Sequence, residues 1–146
     1  MDVIERYLDE VLVANETTNL TRIVSRESAE ILHIEDSLSG LNYINEAPGG
    51  PYVDLGTGGG FPGVPLAVKT GRDTLLVDSV KKKTAIIQGI VDKLGISNVS
   101  TYAGRIEDLR NALSFCCRHG ARSFAASFFD GACLSAPLRG RIAYML

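Results

Sequence analysis

Residues 52–63, with the sequence YVDLGTGGGFPG, join an apolar strand pattern to an acid and a glycine-rich turn. Glycines adopt backbone conformations that are closed to other residues, and without a Cβ they let a ligand lie against the main chain. Pro62 suits the first turn of a helix, where a missing N–H leaves no hydrogen bond unmade. The run therefore predicts a strand that passes through a cofactor-binding loop into a helix.

Length and composition indicate one globular domain with a substantial hydrophobic core. The 146 residues, 45% of them hydrophobic, are enough to bury such a core without disulfides or metals. The three cysteines, Cys116, Cys117 and Cys133, fit no usual zinc-ligand spacing, and their odd number argues against a disulfide framework. We predict that the protein binds no metal.

Charge and hydropathy restrict the partners and the compartment. Residues 1–50 contain ten acids and three bases, and the whole chain has a net charge of −2, so overall charge does not indicate a nucleic-acid partner. No apolar stretch approaches the roughly 20 residues that a membrane span requires. The acidic, amphipathic N-terminus is unlike a signal peptide. We expect a cytoplasmic protein with no membrane partner.

Hydrophobic spacing divides the chain into an N-terminal helical segment at residues 1–50, a βαβαβ part at 51–113 and a tail at 114–146. In the first part, Ser25 is placed to cap a helix whose Ala29, Ile31 and Leu32 would face inward. Residues 114–124, at the start of the tail, have neither a clear strand period nor a clear helix period. In the middle part we predict strands at 52–55, 74–78 and 98–102, and helices at 62–69, at 80–94 and from about 106.

This alternation of strands and helices is typical of an α/β fold. It implies parallel strands, right-handed crossovers and helices on both faces of the sheet. Ligands of such sheets bind at the carboxyl ends of the strands. The glycine run follows the carboxyl end of the first predicted strand, so we expect the cofactor site there.

Two cofactors compete for the glycine loop. Gly58, Gly60 and Gly63 have the spacing of the dinucleotide fingerprint, which would make the protein an NAD-dependent oxidoreductase. Asp54 followed by three alternate glycines instead resembles motif I of class I S-adenosylmethionine methyltransferases. The carboxylate would repel a nearby pyrophosphate, whereas adenosylmethionine has no phosphate and carries a sulfonium and an ammonium. Asp54 therefore favours adenosylmethionine.

Asp78 ends the second predicted strand, where the ribose of either cofactor would lie. Its carboxylate can accept hydrogen bonds from both ribose hydroxyls. It can also cap the following helix, and both roles are compatible because Ser79 can cap instead.

Three blocks occur together in the order and spacing of one family. The blocks are NLTRI at residues 19–23, HIEDSL at 33–38 and DLGTGGGFPGVPL at 54–66. Over about residues 7–112 the sequence resembles the bacterial glucose-inhibited division protein B family, the small-subunit ribosomal RNA guanine-N7 methyltransferases. The resemblance implies a Rossmann-like class I methyltransferase fold, S-adenosyl-L-methionine as the cofactor and small-subunit rRNA as the partner, and we assume a monomer.

The resemblance also implies roles for individual residues. Gly56, Gly58 and Phe61 would bind the cofactor at the loop, and Asp78 would lie near its ribose. Ile106 and Glu107 would flank the adenine, although an acidic helix N-terminus explains them equally well. The block at residues 33–37 would lie near the mouth of the active site or would serve helix packing and capping. No general base is assigned, because guanine N7 carries no proton to remove and the transfer needs mainly positioning.

The sequence departs from the family after the third predicted helix. The family continues there with a strand and a segment containing threonine or serine, arginine and alanine, whose arginine helps to form the pocket. With suitable synonymous codons, a one-base shift across residues 115–124 yields an apolar run followed by such a segment. We therefore expect residues 114–146 to be an out-of-frame tail, the sheet to be incomplete and the activity to be weak or absent. A non-catalytic remnant or RNA-binding fragment is the alternative.

Overall fold

The computed structural model describes residues 2–47 and 51–105, which form an α/β arrangement of three parallel strands and flanking helices. The N-terminal helices surround one π-helical turn, Glu30–Glu35. The strands are β1 (Tyr52–Leu55), β2 (Thr74–Asp78) and β3 (Val99–Ala103), and the α-helices are α1 (Val3–Asn15), α2 (Arg26–Ala29), α3 (Asp36–Ser39), α4 (Leu41–Glu46), α5 (Gly63–Thr70) and α6 (Lys81–Leu94).

The sheet has the order β1-β2-β3, with every pair parallel. Strand β2 is central, and its first four residues are buried, as expected for a strand covered on both faces. The predicted bounds of β1 and β2 are confirmed, and β3 begins one residue later than predicted, at Val99. The carboxyl ends of β1 and β2 therefore lie side by side.

Helix α1 has one apolar face, with the i, i+3, i+4 spacing of an amphipathic helix. Ile4, Tyr7, Leu8 and Val11 are all buried on that face. The predicted cap of α2 is also confirmed, because the Ser25 hydroxyl accepts a hydrogen bond from the backbone N–H of Ser28 at 3.2 Å.

One prediction about the helices is wrong, and one possible cap is not formed. Ala29 is buried, but Ile31 and Leu32 are 56% and 55% exposed. They lie in the π-helical turn, whose wider winding changes the direction of successive side chains relative to an α-helix. Ser79 also does not provide the cap that the sequence allows: α6 begins after Val80, whose N–H donates to the Asp78 carboxylate at 2.8 Å.

The N-terminal helices and the sheet share one hydrophobic core. Tyr7 and Val11 of α1 pack in the same buried cluster as Leu76 of β2 and Ile87 of α6. An exposed ion pair between Glu10 and Lys93 joins α1 to α6 at 2.7 Å. The N-terminal segment is therefore part of the support of the sheet.

A substitution of Leu76 tests this shared core, because Leu76 is fully buried on the central strand. We expect Leu76→Ala to lower the free energy of unfolding by about 2–5 kcal/mol, since truncation loses apolar burial and leaves a cavity. Urea unfolding measures the change. Val24→Ala removes apolar atoms from a side chain that is 78% exposed and should cost less than about 0.5 kcal/mol. Equal losses would contradict this description of the core.

Candidate cofactor site

The carboxylate of Asp54 closes the glycine loop at its base. Asp54 is 3% exposed at the carboxyl end of β1. One of its oxygens accepts hydrogen bonds from the Thr57 hydroxyl at 2.8 Å and from the backbone N–H of Gly63 at 2.9 Å. The same oxygen thus holds the start of the loop and the start of α5. The side chain of Asp54 therefore has a structural role in the loop.

Burial raises the pKa of Asp54 above its ordinary value of 3.8, and the charge of Asp78 acts in the same direction. The hydrogen bonds from Thr57 and Gly63 act in the opposite direction without cancelling the effect of burial. The carboxylate is therefore less stable in its charged form here than it would be in water.

Three loop glycines have the left-handed backbone conformation that favours glycine. Their φ angles are +75° at Gly56, +55° at Gly58 and +85° at Gly60. At Gly56 no atom lies within 4 Å of the position that a Cβ would take, so the space beside its backbone is open. At Gly63 that position is 2.2 Å from Leu76 and 2.6 Å from the Asp54 carboxylate, so the start of α5 packs directly on the sheet.

Asp78 joins the loop to the turn that follows β2. One oxygen accepts a hydrogen bond from the backbone N–H of Gly58 at 3.1 Å, and the other accepts one from the N–H of Val80 at 2.8 Å. Asp78 is only partly buried. The structure therefore brings Asp78, Gly56 and Gly58 to one edge of the sheet, as the sequence predicts.

Phe61 lies between two aromatic side chains of the N-terminal segment. Its ring meets that of Tyr7 edge to face, with centroids 5.5 Å apart, and stacks on that of His33 with centroids 4.5 Å apart. His33 Nε2 is 2.8 Å from the Thr21 hydroxyl. Burial lowers the pKa of His33, against the opposite effect of the Asp36 carboxylate. Phe61 thus has a fixed position beside the loop.

A pocket of about 230 Å³ lies between the carboxyl end of β1 and the N-terminal segment. It brings residues of the block at 33–37 next to the glycine loop. Its lining consists of Leu32, His33, Asp36, Ser37, Asp54, Leu55, Gly56, Phe61 and Pro62.

The remaining predicted site residues, Ile106 and Glu107, lie outside the described residues. Sequence reasoning missed Tyr7 and Thr57, because apolar spacing marked Tyr7 only as a core position of α1. Within residues 2–47 and 51–105, no three side chains are grouped as a metal site would need. No helix in these two ranges is long and apolar enough to cross a membrane.

Parallel strands that end in a glycine loop and a carboxylate are typical of α/β domains that bind a nucleoside-containing cofactor. The family model for rRNA small subunit methyltransferase G (GidB) matches residues 1–126. The chain belongs to this family of S-adenosylmethionine-dependent rRNA methyltransferases, which confirms the resemblance seen in the sequence.

Curated relatives named ribosomal RNA small subunit methyltransferase G support the assignment. The protein of Gloeobacter violaceus is 42% identical over 106 residues, covering 72% of this chain and 42% of the relative. That of Solibacter usitatus is 43% identical over 105 residues, covering 70% and 49%. That of Oenococcus oeni is 35% identical over 117 residues, covering 79% and 48%. The chain spans about half the length of these relatives.

Gly63 provides a test of the packed start of α5. We expect Gly63→Ala to lower the free energy of unfolding by about 1–3 kcal/mol, because the added methyl group collides with Leu76 and Asp54. Gly89→Ala is the matched control, since Gly89 lies within α6 and nothing is within 4 Å of its Cβ position. It should stabilise the protein by about 0.5–1 kcal/mol. Urea unfolding measures both changes. A Gly63→Ala protein as stable as the wild type would contradict the close packing at Gly63.

Asp54 should contribute to the pH dependence of stability. Because its pKa is raised in the folded protein, its favourable contribution is fully present below 3.8 and is lost as the pH rises through the folded pKa. Asp54→Asn lacks this pH-dependent contribution to stability, because the asparagine side chain does not titrate. Urea unfolding of both proteins at a series of pH values should show a wild-type-minus-variant difference that declines with rising pH. A difference that is constant with pH would exclude a raised pKa.

Proposed function

We propose that the described residues form the cofactor-binding part of an S-adenosylmethionine-dependent methyltransferase acting on guanine N7 in small-subunit rRNA. The observation that carries the proposal is the closed glycine loop beside Asp78, at the carboxyl ends of β1 and β2, in a chain of this family. We further propose a Rossmann-like class I fold. The order β1-β2-β3 supports this, because it corresponds to half of a doubly wound sheet.

The described residues fit the proposed cofactor. The open backbone at Gly56 allows a ligand to approach the loop closely. Each oxygen of Asp78 accepts one backbone hydrogen bond and retains capacity for a ribose hydroxyl. Asp36 lines the pocket beside Gly56, and its negative charge suits a cationic ammonium or sulfonium. Phe61 provides an apolar wall, and we propose that Ile106 and Glu107 flank the adenine.

The start of α5 argues against a dinucleotide. Dinucleotide-binding domains hold the pyrophosphate with the free N–H groups of a helix N-terminus. Here the N–H of Gly63 donates to the Asp54 carboxylate, and that of Val64 donates to the carbonyl of Gly60 at 2.9 Å. The first two N–H groups of α5 therefore already have acceptors within the protein, and one of these acceptors is a carboxylate.

The proposed reaction makes modest demands on the protein. The cofactor supplies an electrophilic methyl group, and guanine N7 supplies a lone pair without releasing a proton. The protein then has to hold the two groups in line and exclude water. Phe61 and the loop backbone serve this positioning in our proposal, and no residue acts as a general base.

The proposal extends to partners, compartment and chain organisation. The partner is small-subunit rRNA, and the protein is a cytoplasmic monomer. The helical segment comprises residues 1–50, and the cofactor-binding half comprises residues 51–113. The family model reaches residue 126, and residues 114–146 lie outside the described residues. We propose that these residues are an out-of-frame tail and that methyl transfer is therefore weak or absent.

Titration calorimetry with S-adenosylmethionine tests the cofactor, and labelled methyl transfer to unmethylated small-subunit rRNA tests the reaction. We expect one cofactor site, no binding of NADH and little transfer. Asp78→Asn should weaken cofactor binding about tenfold to hundredfold, because hydrogen bonds to a charged acceptor are lost. Asp92→Asn, at an exposed carboxylate of α6, should leave affinity unchanged.

The outcomes separate the alternatives. Cofactor binding without any transfer favours the non-catalytic remnant, and rRNA binding without cofactor binding favours the RNA-binding fragment. NADH binding would overturn the choice of cofactor. Robust transfer would overturn the expectation that residues 114–146 impair activity.

A further inference from the structure

The peptide unit between Gly59 and Gly60 is fixed at both of its polar ends. The carbonyl of Gly59 accepts a hydrogen bond from the Tyr7 hydroxyl at 2.9 Å, across 52 residues of sequence. The N–H of Gly60 donates to the carbonyl of Thr57 at 2.9 Å. Rotation of this peptide unit would break both hydrogen bonds. A side chain of α1 therefore helps to set the backbone at the middle of the glycine loop.

Tyr7 also fills the space that the loop leaves open. A Cβ at position 60 would be 2.0 Å from the Tyr7 hydroxyl oxygen, so the loop backbone rests directly on that hydroxyl group. The Tyr7 ring meets Phe61 edge to face, and its side chain is fully buried. One residue of α1 thus contacts the loop peptide, the glycine beside it and the aromatic residue that follows.

The loop needs such a contact because it is rich in glycine. Glycine loses more conformational freedom on ordering than any other residue, so a glycine loop is ordered only where contacts hold it. Asp54 holds Thr57 and Gly63, and Asp78 holds Gly58. The stretch between these points is held at the Gly59 carbonyl by Tyr7. Burial and the charge of Asp54 raise the pKa of Tyr7, so its hydroxyl remains a donor.

We propose that Tyr7 is a positioning residue that holds the glycine loop in its cofactor-binding conformation, so that cofactor affinity depends on α1. This inference rests on the proposed function, because it assumes that the loop binds S-adenosylmethionine. Tyr7 acts through the loop and through Phe61.

The test is Tyr7→Phe, which keeps the ring and removes the hydroxyl. Tyr52→Phe is the matched control, because Tyr52 is a 7% exposed tyrosine on β1 away from the loop. For Tyr7→Phe we expect S-adenosylmethionine affinity, measured by calorimetry, to fall roughly fivefold to tenfold. We also expect faster amide hydrogen exchange in residues 56–63 of the cofactor-free protein. Tyr52→Phe should change neither quantity.

Thermal unfolding of both variants separates positioning from stability. A merely structural role would lower the melting temperature of Tyr7→Phe and leave affinity and loop exchange equal to those of Tyr52→Phe, and that result overturns the proposal. If the wild type does not bind S-adenosylmethionine, the proposed function fails. The exchange comparison then decides alone whether Tyr7 orders the loop.

A second variant disturbs the same contact from the loop side. Gly60→Ala keeps Tyr7 but places a methyl group where its hydroxyl lies. We expect a loss of affinity and faster loop exchange in this variant, at least as large as in Tyr7→Phe, because the left-handed conformation of Gly60 adds backbone strain to the collision. Unchanged loop exchange in Gly60→Ala would contradict the role of Tyr7 even if Tyr7→Phe fails to fold.

Discussion

The buried carboxylate of Asp54 is the constraint on which the rest of the site depends. Its hydrogen bonds to Thr57 and Gly63 draw the two ends of the glycine loop together beneath the end of β1. Because Asp54 is only 3% exposed, its charged form carries a desolvation cost. The two hydrogen-bond donors offset this cost only in part, as the raised pKa of Asp54 indicates. The N–H at the start of α5 is already used, so the part of the loop that we propose to meet the ligand is the open backbone at Gly56.

The N-terminal segment completes this loop from the other side. Tyr7 packs under Gly60, and His33 stacks on Phe61, so the wall of the pocket that faces β1 comes from residues far away in sequence. The π-helical turn has a specific consequence here. Leu32 lies in this turn, is exposed where the sequence pattern predicts burial, and lines the pocket.

The elements that the sequence predicts correctly are those with a local signal. Strands β1 and β2 have their predicted bounds because apolar runs end at an acid and a turn, and Asp78 is found beside Gly58 because neighbouring parallel strands end at the same edge. The contact of Tyr7 with Gly59 has no such signal. Any apolar residue satisfies the spacing of α1, and only the packed fold brings its hydroxyl to the loop. The π-helical turn escaped prediction for the same reason, since its winding depends on packing.

The two aspartates at the ends of β1 and β2 differ in burial, and their roles at the loop differ as a result. Asp54 is enclosed, with one oxygen holding two donors of the loop. Asp78 is partly exposed, and its hydrogen bonds are divided between its two oxygens. A carboxylate with one donor on each oxygen keeps acceptor capacity toward solvent or a ligand. Asp54 therefore holds the loop together, whereas Asp78 retains the acceptor capacity that its proposed contact with a ribose requires.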